Sequence, residues 1–134
     1  MSTLLSVNIV DSLAHINVRQ TFVNNDTSPM ECLYRFPTDS QFVVTGIKAT
    51  VDDQSVNTHI MDKQDAQHKY DDAIAAGNTA ITAQYDDEMP DVINLAIGQL
   101  QPGKQATVTT NIVTQLTCVC GQFYSFVFPI DFVP

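Results

Sequence analysis

The densest group of ionisable side chains in this 134-residue sequence is a run of carboxylates, Asp86-Asp87-Glu88 followed by Asp91. Carboxylate oxygens are ligands that Ca²⁺ prefers, so the run is a candidate cation site. It lacks the alternating ligand spacing and the central glycine of a dedicated calcium loop, and Pro90 is typical of an ordinary loop. We therefore interpret the run as a solvated acidic loop and predict no metal site.

Cysteine and histidine supply the remaining candidates for chemistry. The spacing of Cys118 and Cys120 predicts that both lie on one side of a strand, where they could join a histidine as zinc ligands. A tetrahedral zinc site needs a second pair, so core or half-buried thiols are the preferred interpretation. His15, His59 and His68 are each isolated in sequence from a plausible serine or cysteine partner. We predict no catalytic residue, no cofactor and no enzymatic activity.

The composition narrows the class of partner and the compartment. The formal net charge is −9, and a surface of this sign repels phosphate backbones, so nucleic acid is not an expected partner. The 3 cysteines are an odd number, which does not suit a closed disulfide framework. The N-terminus has no basic leader, and the apolar run 4–10 is too short to span a membrane. These features favour a cytoplasmic over a secreted location.

The elements that would position these residues are mainly strands, because apolar and polar residues alternate along most of the chain. The segment 13–23 shows the pattern clearly, with one face formed by Ile16, Val18, Gln20 and Phe22. Further strands are predicted in the N-terminal run and at 30–36, 41–51, 55–60, 80–85, 91–97, 105–116 and 123–128. About nine short strands at this spacing are typical of an antiparallel β-sandwich-like domain.

Two of the longer strands also predict which side chains are buried. The alternation in 105–116 places every even-numbered residue from Ala106 to Leu116 on one face. The alternation in 41–51 places Val43 on the same face as Ile47, Ala49 and Val51. We expect both faces to point toward the core.

One segment does not alternate and is predicted to be a single inserted α-helix at about 62–76. Asp62 can cap the free amides at its start, and Gly77 can end it with a positive φ. Its apolar residues form one narrow stripe, made of Ala66, Tyr70, Ala73 and Ile74. We expect this stripe to dock the helix as a lid on the strands, with the charged face in solvent.

Four short motifs follow one another along the chain. They are Gln20-Thr21-Phe22-x-Asn24, then Tyr34-x-Phe36-Pro37, then Lys63-x-x-Ala66-x-x-x-Tyr70-x-x-Ala73-x-x-x-Gly77, and finally Gly98-x-Leu100-x-Pro102-Gly103. In this order and spacing they resemble the VIT domain. That module is shared by inter-α-trypsin inhibitor heavy chains, the vault poly-ADP-ribose polymerase and proteins with von Willebrand A domains.

The resemblance implies that residues 1–134 form a single non-catalytic β-sandwich-like domain with an inserted helix, of a kind usually placed directly before a von Willebrand A domain. Two residues depart from the family pattern, since Thr58 stands where glycine is usual and Ile93 where an aromatic is common. The Asp-x-Ser-x-Ser metal motif of the von Willebrand A domain does not occur in this sequence. Its nearest approach, Asp53-x-Ser55-x-Asn57, is interpreted as a turn.

Two functions are compatible with these observations. The first is a protein-interaction or scaffold module, and the apolar residues 132–134 favour continuation of the chain into a von Willebrand A domain. The alternative is a self-assembling structural subunit that forms filaments or shells through edge strands or exchanged termini. Both hypotheses predict protein partners, including further copies of the chain in the second case.

Overall fold

The computed structural model of the chain describes residues 1–37, 41–51, 54–58, 72, 75, 80–85 and 92–129. This part of the chain contains ten strands, which are β1 (Ser2–Val10), β2 (Leu13–Val23), β3 (Met30–Pro37), β4 (Phe42–Val51), β5 (Gln54–Thr58), β6 (Ala80–Tyr85), β7 (Val92–Leu100), β8 (Gln105–Gln115), β9 (Thr117–Val119) and β10 (Phe123–Ser125). Asp72 and Ala75 are helical and exposed. Apart from these two residues, the helix predicted at about 62–76 lies outside the described residues.

Every strand pairing is antiparallel, and the strands form three sheets. The large sheet has five strands in the order β1-β2-β8-β4-β5, and the second has three in the order β3-β7-β6. β9 and β10 form a separate two-stranded hairpin. The predicted fold class, mainly β with antiparallel sheets, is therefore confirmed.

The core lies between the large sheet and the three-stranded sheet. One cluster of buried side chains joins Ile16 and Ile112 of the large sheet to Phe36 and Ile93 of the other. A second cluster joins Val108 and its neighbours to β7 residues such as Leu95, Ile97 and Leu100. Burying each large aliphatic or aromatic side chain contributes about 1.5–3 kcal/mol, so the two faces hold the sheets together.

The alternation in the sequence predicted the long central strands well. β2 spans the predicted residues, and the even-numbered residues of β8 from Ala106 to Thr114 are all buried, as is Leu116 just beyond its end. β7 extends three residues beyond its predicted end, to Leu100. β9, at Thr117–Val119, was not predicted as a separate strand because three residues are too few to show a period.

The predicted face of β4 is wrong at its N-terminal end. Phe42 is only 7 % exposed, whereas Val43 is 59 % exposed and points to the solvent side. The pairing of β4 with β8 shifts by one residue between Val44 and Gly46. Such a β-bulge places one extra residue in the strand and inverts the alternation on either side of it. Ala49 and Val51, beyond the bulge, are buried as predicted.

Candidate functional site

Asn24 is the most heavily hydrogen-bonded side chain of the predicted motifs, and it lies fully buried at one end of the sandwich. Its Nδ2 donates to the carbonyl oxygens of Leu100 at 2.7 Å and Ser28 at 2.9 Å. Its Oδ1 accepts from the backbone N–H of Asp26 at 2.9 Å. One amide side chain thus connects the end of β7 to the turn between β2 and β3.

The backbone of Asn24 continues this connection to the turn between β7 and β8. Its N–H donates to the carbonyl of Lys104 at 3.0 Å, and its carbonyl accepts from the N–H of Gly103 at 2.8 Å. Within that turn, the N–H of Lys104 donates to the carbonyl of Gln101 at 3.1 Å, and Gly103 has φ of 74°. A proline followed by a residue with positive φ is the type II arrangement, as the Pro102-Gly103 motif predicted. We call these contacts the Asn24 brace.

Tyr34 is at the centre of a second group of motif residues. Its ring centroid lies 6.3 Å from that of Phe22 and 6.0 Å from that of Phe36, with tilted ring planes. These distances suit favourable aromatic contacts worth about 0.5–1.5 kcal/mol each beyond the buried area. The group joins β2 to β3 and so stabilises the contact between the two sheets.

The Tyr34 hydroxyl and the Gln20 amide form the polar part of this group. Burial raises the pKa of Tyr34 above its ordinary value of 10.0, and the nearby Gln20 side chain partly offsets that rise. Gln20 is fully buried, yet within the described residues neither of its amide atoms has a partner at hydrogen-bond geometry. We therefore interpret the effect of Gln20 on Tyr34 as a longer-range dipole contact rather than a formed bond.

Several predicted residues cannot be placed in either group. The residues of the third motif lie outside the described residues; they are Lys63, Ala66, Tyr70, Ala73 and Gly77. His59, His68, Asp53 and the carboxylates of 86–91 also lie outside them. Ser55 and Asn57, which were interpreted as part of a turn with Asp53, are described and lie in strand β5. Among the residues that are described, no group of three histidine, cysteine or acidic side chains could hold a metal ion. In the same part of the chain, no helix is long and apolar enough to cross a membrane.

The interpretation of Cys118 and Cys120 as core or half-buried thiols is wrong. Both are exposed and free, and Cys120 lies beyond the end of β9, in a turn where its φ is 53°. Their exposure follows from the pairing of β9 with β10 alone, because no sheet covers either face of that hairpin in the described structure. Cys32 is half-buried, and its pKa is raised by burial and then by the Glu31 carboxylate.

Among the described strands, β1 carries the most exposed large hydrophobic side chains, and it is an edge strand of the large sheet. Leu5, Val7 and Ile9 stand opposite core residues of β2, so they continue the inner face of the sheet. They are nevertheless 40 %, 39 % and 52 % exposed. Leu4 and Val10, on the outer face, are exposed as well. We call Leu5, Val7 and Ile9 the inner strip.

Sequence reasoning named the chain termini only as a route to self-assembly and did not identify β1 as an exposed apolar edge, although the signal is present. The segment Ser2–Val10 has no charged residue and no proline, and its aliphatic side chains occupy both alternating faces. A strand that is apolar on both faces is typical of the interior of a sheet, whereas β1 lies at an edge. The mismatch between the composition of β1 and its position marks it as a candidate interaction site.

Comparison with known proteins places these features in a family. The family model described as "Vault protein inter-alpha-trypsin domain" matches residues 2–112. Human von Willebrand factor A domain-containing protein 5A is 31 % identical over 96 % of this chain and 16 % of its own length. Human protein mono-ADP-ribosyltransferase PARP4 is 29 % identical over 94 % of this chain and 7 % of its own length.

A protein from another species is similar as well. A von Willebrand factor A domain-containing protein of Dictyostelium discoideum is 29 % identical over 84 % of this chain and 12 % of its own length. The chain thus spans less than a fifth of each of these three relatives. Because the family match covers most of the chain and includes the Asn24 brace and the Tyr34 group, the chain belongs to the VIT family, the vault protein inter-alpha-trypsin domain.

Proposed function

We propose that this chain is a non-catalytic protein-interaction module, formed as one domain by residues 1–134, and that it acts within a larger protein carrying a von Willebrand A domain. The names of the relatives and the small share of each that the match covers support the larger context. The observation that carries the interaction function is β1. Its exposed apolar side chains lie along a strand edge that no other described strand pairs with.

The backbone of β1 supports strand addition as the mode of binding. A strand edge presents unpaired N–H and C=O groups along its length, and nine residues extend about 30 Å. Soluble proteins usually protect such edges with lysine, proline or a bulge. β1 has none of these devices, and its pairing with β2 is regular from Ser2 to Val10. An extended segment of a partner would therefore find a continuous edge to pair with.

The side chains of the inner strip define the chemistry of that partner segment. A strand added beside β1 would place alternate side chains next to Leu5, Val7 and Ile9, where aliphatic groups remove the most water-exposed surface. Charged side chains at those positions would lose hydration without gaining a partner. We therefore expect an uncharged segment with alternating aliphatic residues.

Selection of peptides from a random phage-displayed library on the purified chain tests this function. We expect the selected peptides to be rich in alternating valine, isoleucine and leucine, and to lose binding to the variant Val7→Lys. The matched control is Leu33→Lys, which charges an exposed aliphatic residue on β3. Peptides that bind the two variants equally well would contradict the proposal.

Self-assembly through β1 is the second candidate, because β1 itself has the composition expected of its partner. Two β1 strands could pair antiparallel about a two-fold axis, and the uncharged strand avoids the repulsion that a net charge of −9 imposes elsewhere. A two-fold contact closes on itself and yields a dimer, so a filament or shell needs a second interface. Light scattering at micromolar concentration decides, since a chain that stays monomeric excludes this candidate.

A further inference from the structure

The outer face of the large sheet differs in charge from the rest of the protein. None of its five strands contains an aspartate or glutamate, although the chain has 15 acidic residues. The same sheet carries two of the 6 lysine and arginine residues, Arg19 on β2 and Lys48 on β4. The five described strands of this sheet therefore contribute no acidic side chain to either face.

Arg19 and Lys48 lie in one row across the sheet. Each is paired in register with Thr109 of β8, which separates the two strands, so all three side chains point to the same side. That side is the outer one, because Val18 and Ala49, the neighbours in sequence, are buried in the core. Two strand spacings place the cations about 10 Å apart.

Both cations are available for a partner. Arg19 and Lys48 are exposed, and neither forms an ion pair or hydrogen bond with another residue in the described part of the chain. Asn17 and Asn111 form the next row on the same face, two residues along each strand. These two side chains bond to each other, since Asn17 Nδ2 donates to Asn111 Oδ1 at 2.8 Å. The face thus presents two unpaired positive charges on an uncharged, hydrogen-bonding surface.

We propose that this outer face binds an acidic segment of a protein partner, in which two carboxylates about 10 Å apart contact Arg19 and Lys48. Charge complementarity carries the assignment, because the five described strands of this sheet carry two cations and no acidic residue, within a chain whose net charge is −9. Nucleic acid is a poorer fit, since its backbone needs a longer run of cations than the two on this face. The site lies on the opposite face of the sheet from the inner strip and does not depend on strand addition at β1.

Titration of the chain with a short oligo-glutamate peptide, followed by backbone amide NMR shifts, tests the proposal. We expect the shifts to centre on Arg19, Thr109 and Lys48 and to weaken as salt is added. The double variant Arg19→Glu/Lys48→Glu should bind about tenfold more weakly, as expected for two exposed charge pairs. The control is Arg35→Glu, which reverses an exposed cation on β3 and should change little.

Three results of the peptide titration would overturn the proposal. They are an absence of shifts on this face, equal binding by the double variant and the wild type, and equal loss of binding in Arg35→Glu. An oligothymidylate that bound as tightly as the peptide would also overturn it, because the face would then select charge alone. A thermal melt of each variant shows whether it is folded, and both substituted positions are exposed and unpaired within the described part of the chain.

Discussion

The Asn24 brace and β1 differ in how far their groups are paired and buried within the domain. At the brace, the fully buried Asn24 side chain makes three hydrogen bonds, and these bonds connect the turns on either side of it. At β1, aliphatic side chains and a whole strand edge are left without a partner among the described strands. Most of the described residues that resemble the family lie in the brace and the Tyr34 group, so these residues specify architecture. The surfaces available for binding lie where no motif residue is found.

The largest effect is expected at the brace, from Asn24→Ala. The change removes three hydrogen bonds and leaves the buried carbonyl of Leu100 without its donor, so unfolding should become easier by about 3 kcal/mol. Chemical denaturation measures this loss. The control is Asn25→Ala at the exposed neighbouring position, which should change the free energy of unfolding very little. Equal stability of the two variants would show that the hydrogen bonds of the brace do not stabilise the domain.

Two valines on the same face of the large sheet provide the next test. Val18 is fully buried, and Val18→Ala should cost about 2 kcal/mol through lost burial and a residual cavity. Val7 lies on the neighbouring strand and is partly exposed, so Val7→Ala should cost less than about 1 kcal/mol in the free chain. Equal costs would show that the inner strip is already covered. A partner that binds at β1 should increase the cost of Val7→Ala.

Substitution of the turn glycine of the brace, Gly103, should lower the free energy of unfolding by a smaller amount, through backbone conformation alone. Gly103 has φ of 74°, and no described atom beyond its chain neighbours lies within 4 Å of the point that a Cβ would occupy, so Gly103→Ala meets strain but no clash. We expect a loss of about 1 kcal/mol. Gly46 is the comparison, because its backbone is not in the positive-φ region and the nearest atom to its added Cβ is 4.0 Å away. Thermal melts in which Gly46→Ala is the more harmful change would contradict this assignment.

The smallest effect is confined to alkaline solution and concerns Tyr34. Because its pKa in the folded chain is raised above 10.0, the neutral hydroxyl is favoured by folding. Its contribution is therefore complete below that pH and is lost as the pH rises through the folded pKa. In Tyr34→Phe, this part of the alkaline loss should disappear, while stability near neutral pH changes with the packing alone. Denaturation between pH 8 and 11 measures this difference. An equal loss of stability with pH in the wild type and in Tyr34→Phe would contradict the assignment to Tyr34.

How much of this fold was predictable depended on the length of each pattern. β2 and β8 alternate over eleven residues each, so their limits and buried faces were predicted closely. In β4, a bulge reverses the alternation after a few residues, and Gly46 beside it is the residue type that often marks a bulge, although it does not fix which side chains are buried. β9 was too short to identify, and its hairpin pairs with no other described strand, which explains why two thiols expected in the core are exposed.

The candidate sites were less predictable because they depend on partners that are distant in sequence. The motif comparison identified Asn24, but its role requires the carbonyl of Leu100, 76 residues away. The row of Arg19, Thr109 and Lys48 exists only through the strand order, which alternation does not specify. β1 was recognised as a strand, yet its position at an edge could not be inferred from its composition, which is typical of a sheet interior.

The pairing of β2 with β8 also has a consequence for how the chain folds. Asn17 and Asn111, which are hydrogen-bonded across these two strands, are 94 residues apart. Closing so long a loop is slow, and domains dominated by distant strand pairs fold in roughly milliseconds to seconds. During synthesis the hairpin of β1 and β2 is made well before its neighbour β8, because the five strands β3 to β7 lie between them in the sequence. We therefore expect nascent chains that stop before residue 105 to remain unfolded and prone to aggregation. The β1–β2 hairpin is the segment through which we expect them to aggregate.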